Sequence, residues 1–260
     1  MLTLLLLKVT LAPTLVALAA VLGAKFGQRV AGWLLGFPMV AGPVLWFYAH
    51  EQGNLFAAKA AGGAALGVVS LSAFLLTYAW ASLRLTWVPC LLLGWAAFAL
   101  VALPLAAVPA VFHEWWLSLL AAYAALTLTL WGLPKRVADA PAGTRGQNLL
   151  LRMIATAFMV VMLTGLASIL GATLSGIFTS FPVATTILVV FAQREAGHDR
   201  VLAVCEGFVP SMYSFSGFCA ALSFALLHAP FGLAFGLALV VSLLSQTLVL
   251  TWVTRRAEHR

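Results

Sequence analysis

Nine long apolar stretches, separated by short segments that carry most of the charge, dominate this chain of 260 residues. Each stretch is about 20 residues long or more, which is the length a helix needs to cross the hydrocarbon core of a bilayer. The stretches fall at about 3–22, 30–49, 55–83, 87–110, 114–133, 149–170, 175–193, 200–228 and 230–253. The sequence therefore predicts an all-α integral membrane protein with about nine transmembrane helices.

Composition excludes a soluble protein. Apolar residues make up 63% of the chain and charged residues 8%, whereas a soluble domain has about 45–50% and 25%. The three cysteines, Cys90, Cys205 and Cys219, are scattered within apolar stretches, so neither a disulfide framework nor a metal site is indicated. We expect one membrane domain without a separate water-soluble part.

The net charge of +7 comes from basic residues in the short connecting segments rather than from one exposed stripe, so a nucleic-acid partner is not expected. With nine spans, twelve of the fourteen Lys and Arg residues fall on one face, and only Lys8 and Lys59 fall on the other. Cytoplasmic loops are rich in Lys and Arg. This predicts a multi-pass protein of a bacterial-type inner membrane, with the N-terminus outside and the C-terminus cytoplasmic. Eight spans, without the fifth, give a weaker asymmetry and remain an alternative.

The chain contains an internal repeat at an offset of 144 residues, seen best between segments 27–53 and 171–197. Without a gap, Gly27, Gly32, Phe37, Pro38, Phe47, Glu51 and Gly53 match Gly171, Gly176, Phe181, Pro182, Phe191, Glu195 and Gly197. The same offset places LLLK at 5–8 on LLLR at 149–152, and SLSAF at 70–74 on SFSGF at 214–218. A general excess of Leu and Ala does not place Pro, Glu and a basic residue in register.

The repeat predicts three parts: a first four-helix unit at 1–112, a linker helix with a cytoplasmic loop at 113–148, and a second four-helix unit at 149–260. Because the linker helix is a single span, equivalent helices of the two units run in opposite directions. The expected architecture is a 4+1+4 inverted repeat, which many secondary transporters use for alternating access. A fifth stretch that did not cross would make the units parallel.

Each unit resembles the small GlpM-like inner-membrane proteins. The resemblance rests on a glycine, an FP pair and an apolar run closing on E-x-G, with a basic residue in the preceding helix. It covers roughly 5–83 and 149–228, and it implies a tandem fusion of two four-span units with one added helix. The family implies no chemistry and no residue roles for this chain.

Polar residues inside the predicted spans are the candidates for substrate binding. The serines of the two S-x-S motifs, Ser70, Ser72, Ser214 and Ser216, are predicted near the membrane midplane, where transporters of this design bind substrate; serine in a membrane helix also joins helices. Glu206 is predicted within the eighth span, where Gly62 is its counterpart. A carboxyl there is expected either to cycle a proton or to be a protonated, hydrogen-bonded structural group.

Two pairs of opposite charges recur in the repeat and are candidate gates. Lys8 and Glu51 are predicted near the outer face, and Arg152 and Glu195 near the inner face. Unpaired charge in a membrane is costly. Ion pairs that open alternately are one interpretation, and side chains that extend to the lipid headgroups are the other.

Three prolines are candidate hinges: Pro38 and Pro182 in the second and seventh spans, and Pro210 four residues after Glu206. A proline inside a helix removes one backbone donor and bends the helix. Such positions suit moving helices, although kinks are common in static bundles as well.

The sequence has no nucleophile motif, phosphate-binding loop or metal-binding pattern. An enzyme is therefore not expected, nor is a cofactor or a metal. Our first hypothesis is a transporter or lipid flippase that moves a small or lipid-linked, anionic or zwitterionic substrate. The alternative is a non-transporting scaffold or regulatory subunit of an envelope enzyme complex. Membrane lipids and the substrate are the expected partners, with a homodimer as a further possibility.

Overall fold

The computed structural model describes residues 41–107, 114–135 and 179–258, together with positions 14, 18, 21, 25, 38, 154, 176 and 177. Every regular element within these residues is an α-helix. The helices are α1 Ala41–Gln52, α2 Asn54–Ala81, α3 Trp87–Ala107, α4 Trp115–Gly132, α5 Val183–His228 and α6 Phe231–Glu258. Five of them, α2 to α6, are long and apolar enough to cross a membrane. The prediction of an all-helical membrane protein is confirmed at this level.

The predicted fifth stretch, 114–133, forms the continuous helix α4. The third, fourth and ninth stretches also match α2, α3 and α6, with ends that differ by a few residues. The predicted first and sixth spans lie outside the described residues apart from single positions, and so does the linker after Lys135. The nine-span count stays a prediction.

The helices α2 and α5 form the centre of the fold. Within their most apolar windows, 78% of the α2 residues and 83% of the α5 residues are buried, against 22% in each of α3, α4 and α6. The first half of α2 consists largely of Ala and Gly between Ala57 and Gly67. Small residues let helix backbones approach closely, which is the main source of packing in a membrane.

The outward surfaces of α3, α4 and α6 are apolar. Leu100 is 74% exposed, Trp131 76% and Leu248 70%. Exposure of this size on several helices is unfavourable in water but suits contact with lipid chains. The peripheral helices therefore surround the buried pair α2 and α5.

Contacts along α4 establish the directions of the two central helices. Trp80, near the end of α2, donates to the carbonyl of Gly132 at the end of α4, at 2.8 Å, so α2 and α4 run the same way. Trp115, at the start of α4, packs on Phe224 near the end of α5, with ring centroids 5.3 Å apart. The C-terminal part of α5 therefore runs opposite to α4, and opposite to α2.

The helix α5 is two helical arms joined by a break. Ala196 and Gly197 leave the helical region, with φ/ψ of −150°/21° and 72°/−158°. The first arm ends at Glu195 and the second begins at His198. The first arm runs parallel to α2, since Ser180 just before it bonds Ala64 and Gln193 near its end bonds Tyr78. The predicted seventh and eighth spans are thus a hairpin closed at Gly197.

Most of the basic residues lie at one end of this bundle. The residues Arg84, Lys135, Arg194 and Arg200 lie at the end where α2 and α4 finish and α5 breaks, and α6 also runs towards this end with Arg255 and Arg256. Glu51, Lys59 and Glu114 lie at the other end. We call the first the basic end.

Candidate functional site

The second predicted span of each repeat unit contains a turn at its FP motif. In the second unit, positions 176, 177 and 179 are helical, Ser180 is in a turn, and α5 starts after Pro182. The carbonyl of Pro182 accepts the first backbone bond of the new helix from Thr186 at 2.7 Å. The predicted seventh span, 175–193, is therefore discontinuous rather than one straight helix.

The first unit repeats this local geometry 144 residues earlier. Pro38 is in a turn, and its carbonyl accepts from the backbone N–H of Gly42 at 2.8 Å, just as α1 begins. Pro38 and Pro182 are equivalent in the repeat, and so are Gly42 and Thr186. Both prolines therefore start a helix. They act as helix-starting residues, which suits proline because it has no N–H to leave unpaired.

The turn in the second unit lies beside the middle of α2. Ser180 Oγ donates to the carbonyl of Ala64 at 2.7 Å. A Cβ atom added to Gly67, the midpoint of the 28 residues of α2, would lie 2.8 Å from the Ile177 carbonyl oxygen and 2.9 Å from Ser180 Cβ. If α2 crosses a membrane, the break lies near the midplane.

Aromatic side chains from α3 cover this break. Phe181 packs against Phe98 and Trp95, with ring centroids 5.0 and 6.0 Å away. Trp95 also donates from Nε1 to Thr186 Oγ1 at 3.3 Å. The α3 side chains thus hold the turn through two ring contacts to Phe181 and the first turn of α5 through one hydrogen bond to Thr186.

The four candidate serines are all buried, but their described bonds do not join them into one cluster. Ser214 donates to the carbonyl of Ser242 on α6 at 2.7 Å, and the two hydroxyl oxygens lie 2.9 Å apart. Ser216 donates to Met212 on its own helix. Within the described chain the hydroxyls of Ser70 and Ser72 have no hydrogen-bond partner. Among the described residues, the hydroxyls of Ser214 and Ser216 are thus hydrogen-bonded and those of Ser70 and Ser72 are not.

Glu206 lies in the second arm of α5 and is partly exposed. Pro210 follows one turn later and is buried, yet the only non-helical residues within α5 are Ala196 and Gly197. The proposed hinge at Pro210 therefore keeps helical backbone angles in this structure. The backbone break in this hairpin lies at Gly197.

Of the candidate gate residues, Lys8 and Arg152 lie outside the described residues. Glu51 is exposed next to the turn at Gly53. Glu195 Oε2 pairs with Arg200 Nη1 at 3.5 Å across the α5 break, and the Arg200 side chain is only 2% exposed. This local ion pair was not part of the sequence-based hypothesis. The repeat directed attention to Arg152, whereas Arg200 has Phe56 as its counterpart.

A polar cluster at the basic end connects the α5 break to the end of α2. Tyr78 donates to Gln193 Oε1 at 2.7 Å, and Gln193 Nε2 donates to the carbonyl of Leu85 at 2.8 Å. Ser82 Oγ and His198 Nδ1 lie 2.7 Å apart. These contacts cross between the two repeat units. Sequence analysis missed them, although Gln193 and His198 both flank the E-x-G motif of the second unit.

Arg194 adds a cation–π contact to the same end, with its Cζ 5.6 Å from the Trp87 ring centroid. The cysteines Cys90, Cys205 and Cys219 are buried free thiols. Nowhere in the described ranges do three or more His, Cys, Asp or Glu side chains come together as a set that could hold a metal ion.

Comparison with models of protein families, with curated proteins and with solved structures finds no match for this chain. The resemblance to GlpM-like proteins therefore stays a prediction.

Proposed function

We propose that this protein is a small secondary transporter or lipid flippase that moves an anionic or zwitterionic substrate by alternating access between inverted halves. The observation that carries the proposal is the helix break at the FP motif, next to the middle of α2 and matched at Pro38 and Pro182. Discontinuous helices near the midplane form the substrate sites of many inverted-repeat transporters.

A break of this kind interrupts the backbone hydrogen bonds of a helix. Irregular backbone within a membrane is tolerated where it is buried in protein or lines a polar cavity. The N-terminal end of a half-helix also carries a partial positive charge, which favours an anionic group. The break recurs at the equivalent proline of the other unit, and this supports a shared role in binding.

Two observations support the inverted arrangement. The contacts of α4 make α2 antiparallel to the second arm of α5, its counterpart in the repeat. The linker helix α4 is long and apolar enough to cross a membrane. A single crossing between the two units would place the second unit in the opposite orientation to the first. On this arrangement the basic end faces the cytoplasm and the turn at Gly53 faces outward.

Accessibility of an engineered thiol tests the transport proposal. In a background with Cys90, Cys205 and Cys219 replaced by Ala, Ser70→Cys places one thiol on α2, one turn from Gly67. In proteoliposomes, alternating access predicts reaction with a membrane-impermeant thiol reagent from either side, at different rates. Asn54→Cys and Arg84→Cys are the controls, because they lie at opposite ends and should each react from one side only.

The rival function is a non-transporting membrane subunit. The close packing at Gly67, where no Cβ fits, favours this alternative, because a scaffold is expected to be packed solid. If the thiol of the Ser70→Cys variant stays unreactive from both sides, while the thiols of the two control variants react, the result would support the scaffold and end the transport proposal.

A further inference from the structure

Two contacts at opposite ends of the bundle are related by the offset of 144 residues. At the end opposite the basic end, which we call the outer end, His50 in the last turn of α1 packs against Phe231, the first residue of α6. Their ring centroids are 5.1 Å apart and their planes are inclined by 83°. At the basic end, Arg194 near the end of the first α5 arm has its Cζ 5.6 Å from the ring centroid of Trp87, the first residue of α3. At this offset His50 corresponds to Arg194, and Trp87 corresponds to Phe231.

Each of these contacts joins one repeat unit to the other. His50 belongs to the first unit and Phe231 to the second, whereas Arg194 belongs to the second and Trp87 to the first. A two-fold axis between the units produces this pattern, because it places each residue of one contact on its counterpart in the other contact. Since the contacts lie at opposite ends of the bundle, that axis would lie in the plane of the membrane, as it does in inverted-repeat transporters.

Each half-helix that follows an FP motif packs along the last helix of the other unit. Near the start of α1, a Cβ added to Gly42 would lie 3.6 Å from Phe235 Cζ on α6. Near the start of the first α5 arm, Thr186 Oγ1 accepts from Trp95 Nε1 on α3 at 3.3 Å. The contacts of His50 and Arg194 come eight residues later on these half-helices, which is about 12 Å of helix. Each pair of helices therefore extends from a helix break to one end of the bundle, and the contact at that end closes the pair.

We propose that these two contacts are the gates of the transporter. The outer clasp, His50 with Phe231, closes the route from the outside to the helix breaks, and the inner clasp, Arg194 with Trp87, closes the route from the cytoplasm. This proposal rests on the proposed transport function and specifies where access is controlled. It assigns each gate to the residue before the glutamate of an E-x-G motif. Both clasps are closed in this structure, which corresponds to a conformation occluded at both ends.

The strength and exposure of the two clasps suit a gate that opens. A ring pair and an exposed cation–π contact each change an equilibrium constant by about two- to ten-fold. A gate of this strength leaves both its open and its closed form populated, which alternating access requires. His50 and Arg194 are exposed, so opening either clasp returns its polar group to water and buries no charge.

The thiol of the Ser70→Cys variant, in the cysteine-free background and proteoliposomes described above, reports which side is open. Phe231→Ala removes the outer clasp and should raise the rate of thiol reaction from outside by about two- to ten-fold, with the rate from the cytoplasm unchanged or lower. Trp87→Ala should have the converse effect. His50→Ala and Arg194→Ala remove the other half of each clasp and should give the same result as their partners. Because these two change exposed side chains, they test the clasps even if loss of a ring impairs folding.

The chain offers two kinds of matched control. Phe231→Trp and Trp87→Phe keep a ring in each clasp, since each variant introduces the ring that the other clasp carries, and both rates should stay close to those of the parent. Trp116→Ala and Trp131→Ala remove exposed rings of α4 at the outer end and the basic end. They should also leave both rates unchanged. Tm in detergent confirms that each variant is folded.

Clasp variants that react at the rates of the α4 controls, or faster from both sides alike, overturn the gates; a parent thiol that reacts from either side still supports transport. If the parent thiol is unreactive and removing a clasp makes it reactive from the matching side only, the clasps are retained as barriers and transport is refuted. If the thiol is unreactive in every variant while the Asn54→Cys and Arg84→Cys controls react, both proposals fail.

Discussion

Gly53 and Gly197 are separated by 144 residues and share one uncommon backbone conformation, with φ/ψ of 85°/165° and 72°/−158°. They are the two glycines with positive φ in the described part of the chain. Each ends an E-x-G motif and precedes a long buried helix. Because this region of φ and ψ is essentially restricted to glycine, the matched residues in the sequence correspond to matched turns in the backbone.

Replacing either glycine should destabilise the protein through the backbone alone. A Cβ at Gly53 or Gly197 would meet nothing within 4 Å, so no steric clash contributes. Ala at a glycine-only conformation costs about 1–3 kcal/mol. We expect Gly53→Ala and Gly197→Ala to lower the free energy of unfolding by similar amounts, measured as Tm in detergent.

Gly232→Ala is the control for this comparison. Gly232 lies in α6, and a Cβ there also meets nothing within 4 Å. Alanine is favoured over glycine in a helix by about 1 kcal/mol, so this variant should be neutral or more stable. Equal behaviour of all three variants would refute the assigned turn conformations.

Gly67→Ala should be destabilising for a different reason. Its Cβ would lie 2.8 Å from the Ile177 carbonyl and 2.9 Å from Ser180 Cβ, so the FP turn must move away from α2. Overpacking costs about 1–3 kcal/mol. Gly236→Ala, where nothing lies within 4 Å, is the control. A Gly67→Ala protein as stable as the control would show that the turn does not pack on α2 this closely.

Sequence analysis could predict α2, α3, α4 and α6 because each is one apolar stretch bounded by polar residues. The break near Pro182 was predicted only as a kink. Residues 179–186 carry no charge, so the segment still reads as part of one membrane span and the change of backbone is not registered. Pro210 is the opposite case. The sequence predicted a kink at this residue, but the backbone angles of α5 stay helical there.

The burial of the Gln246 amide could not be predicted from a local motif. A lone Gln in an apolar stretch has no signature, since its importance depends on burial and on missing partners, which only tertiary packing determines. The repeat did hold a signal: at the offset of 144 residues, Gln246 corresponds to Ala102, and Ser242 corresponds to Phe98. Scanning a repeat for positions where the two copies differ in polarity would have found both.

The Tyr78–Gln193 bond should contribute measurable stability. Tyr78 donates to Gln193 Oε1 at 2.7 Å from a fully buried side chain. Tyr78→Phe removes the hydroxyl alone and is expected to cost about 0.5–1.5 kcal/mol or somewhat more, because it leaves Oε1 without this donor. A double-mutant cycle with Gln193→Leu isolates the pair, and a coupling energy of zero would mean that the two side chains do not bond.

Glu206 tests whether proton movement accompanies transport. It lies partly exposed about two turns beyond the Gly197 break, and its counterpart Gly62 carries no side chain. If the carboxyl cycles a proton, Glu206→Gln should abolish proton uptake driven by an inward gradient of an anionic substrate, with benzoate and inorganic phosphate as the probes, because Gln keeps the shape and cannot change charge. Proton uptake is followed with a pH-sensitive dye inside proteoliposomes. Glu114→Gln is the matched control, since Glu114 is exposed at the start of α4, and it should leave uptake unchanged. A Glu206→Gln protein that folds normally and retains proton uptake would assign Glu206 a structural role.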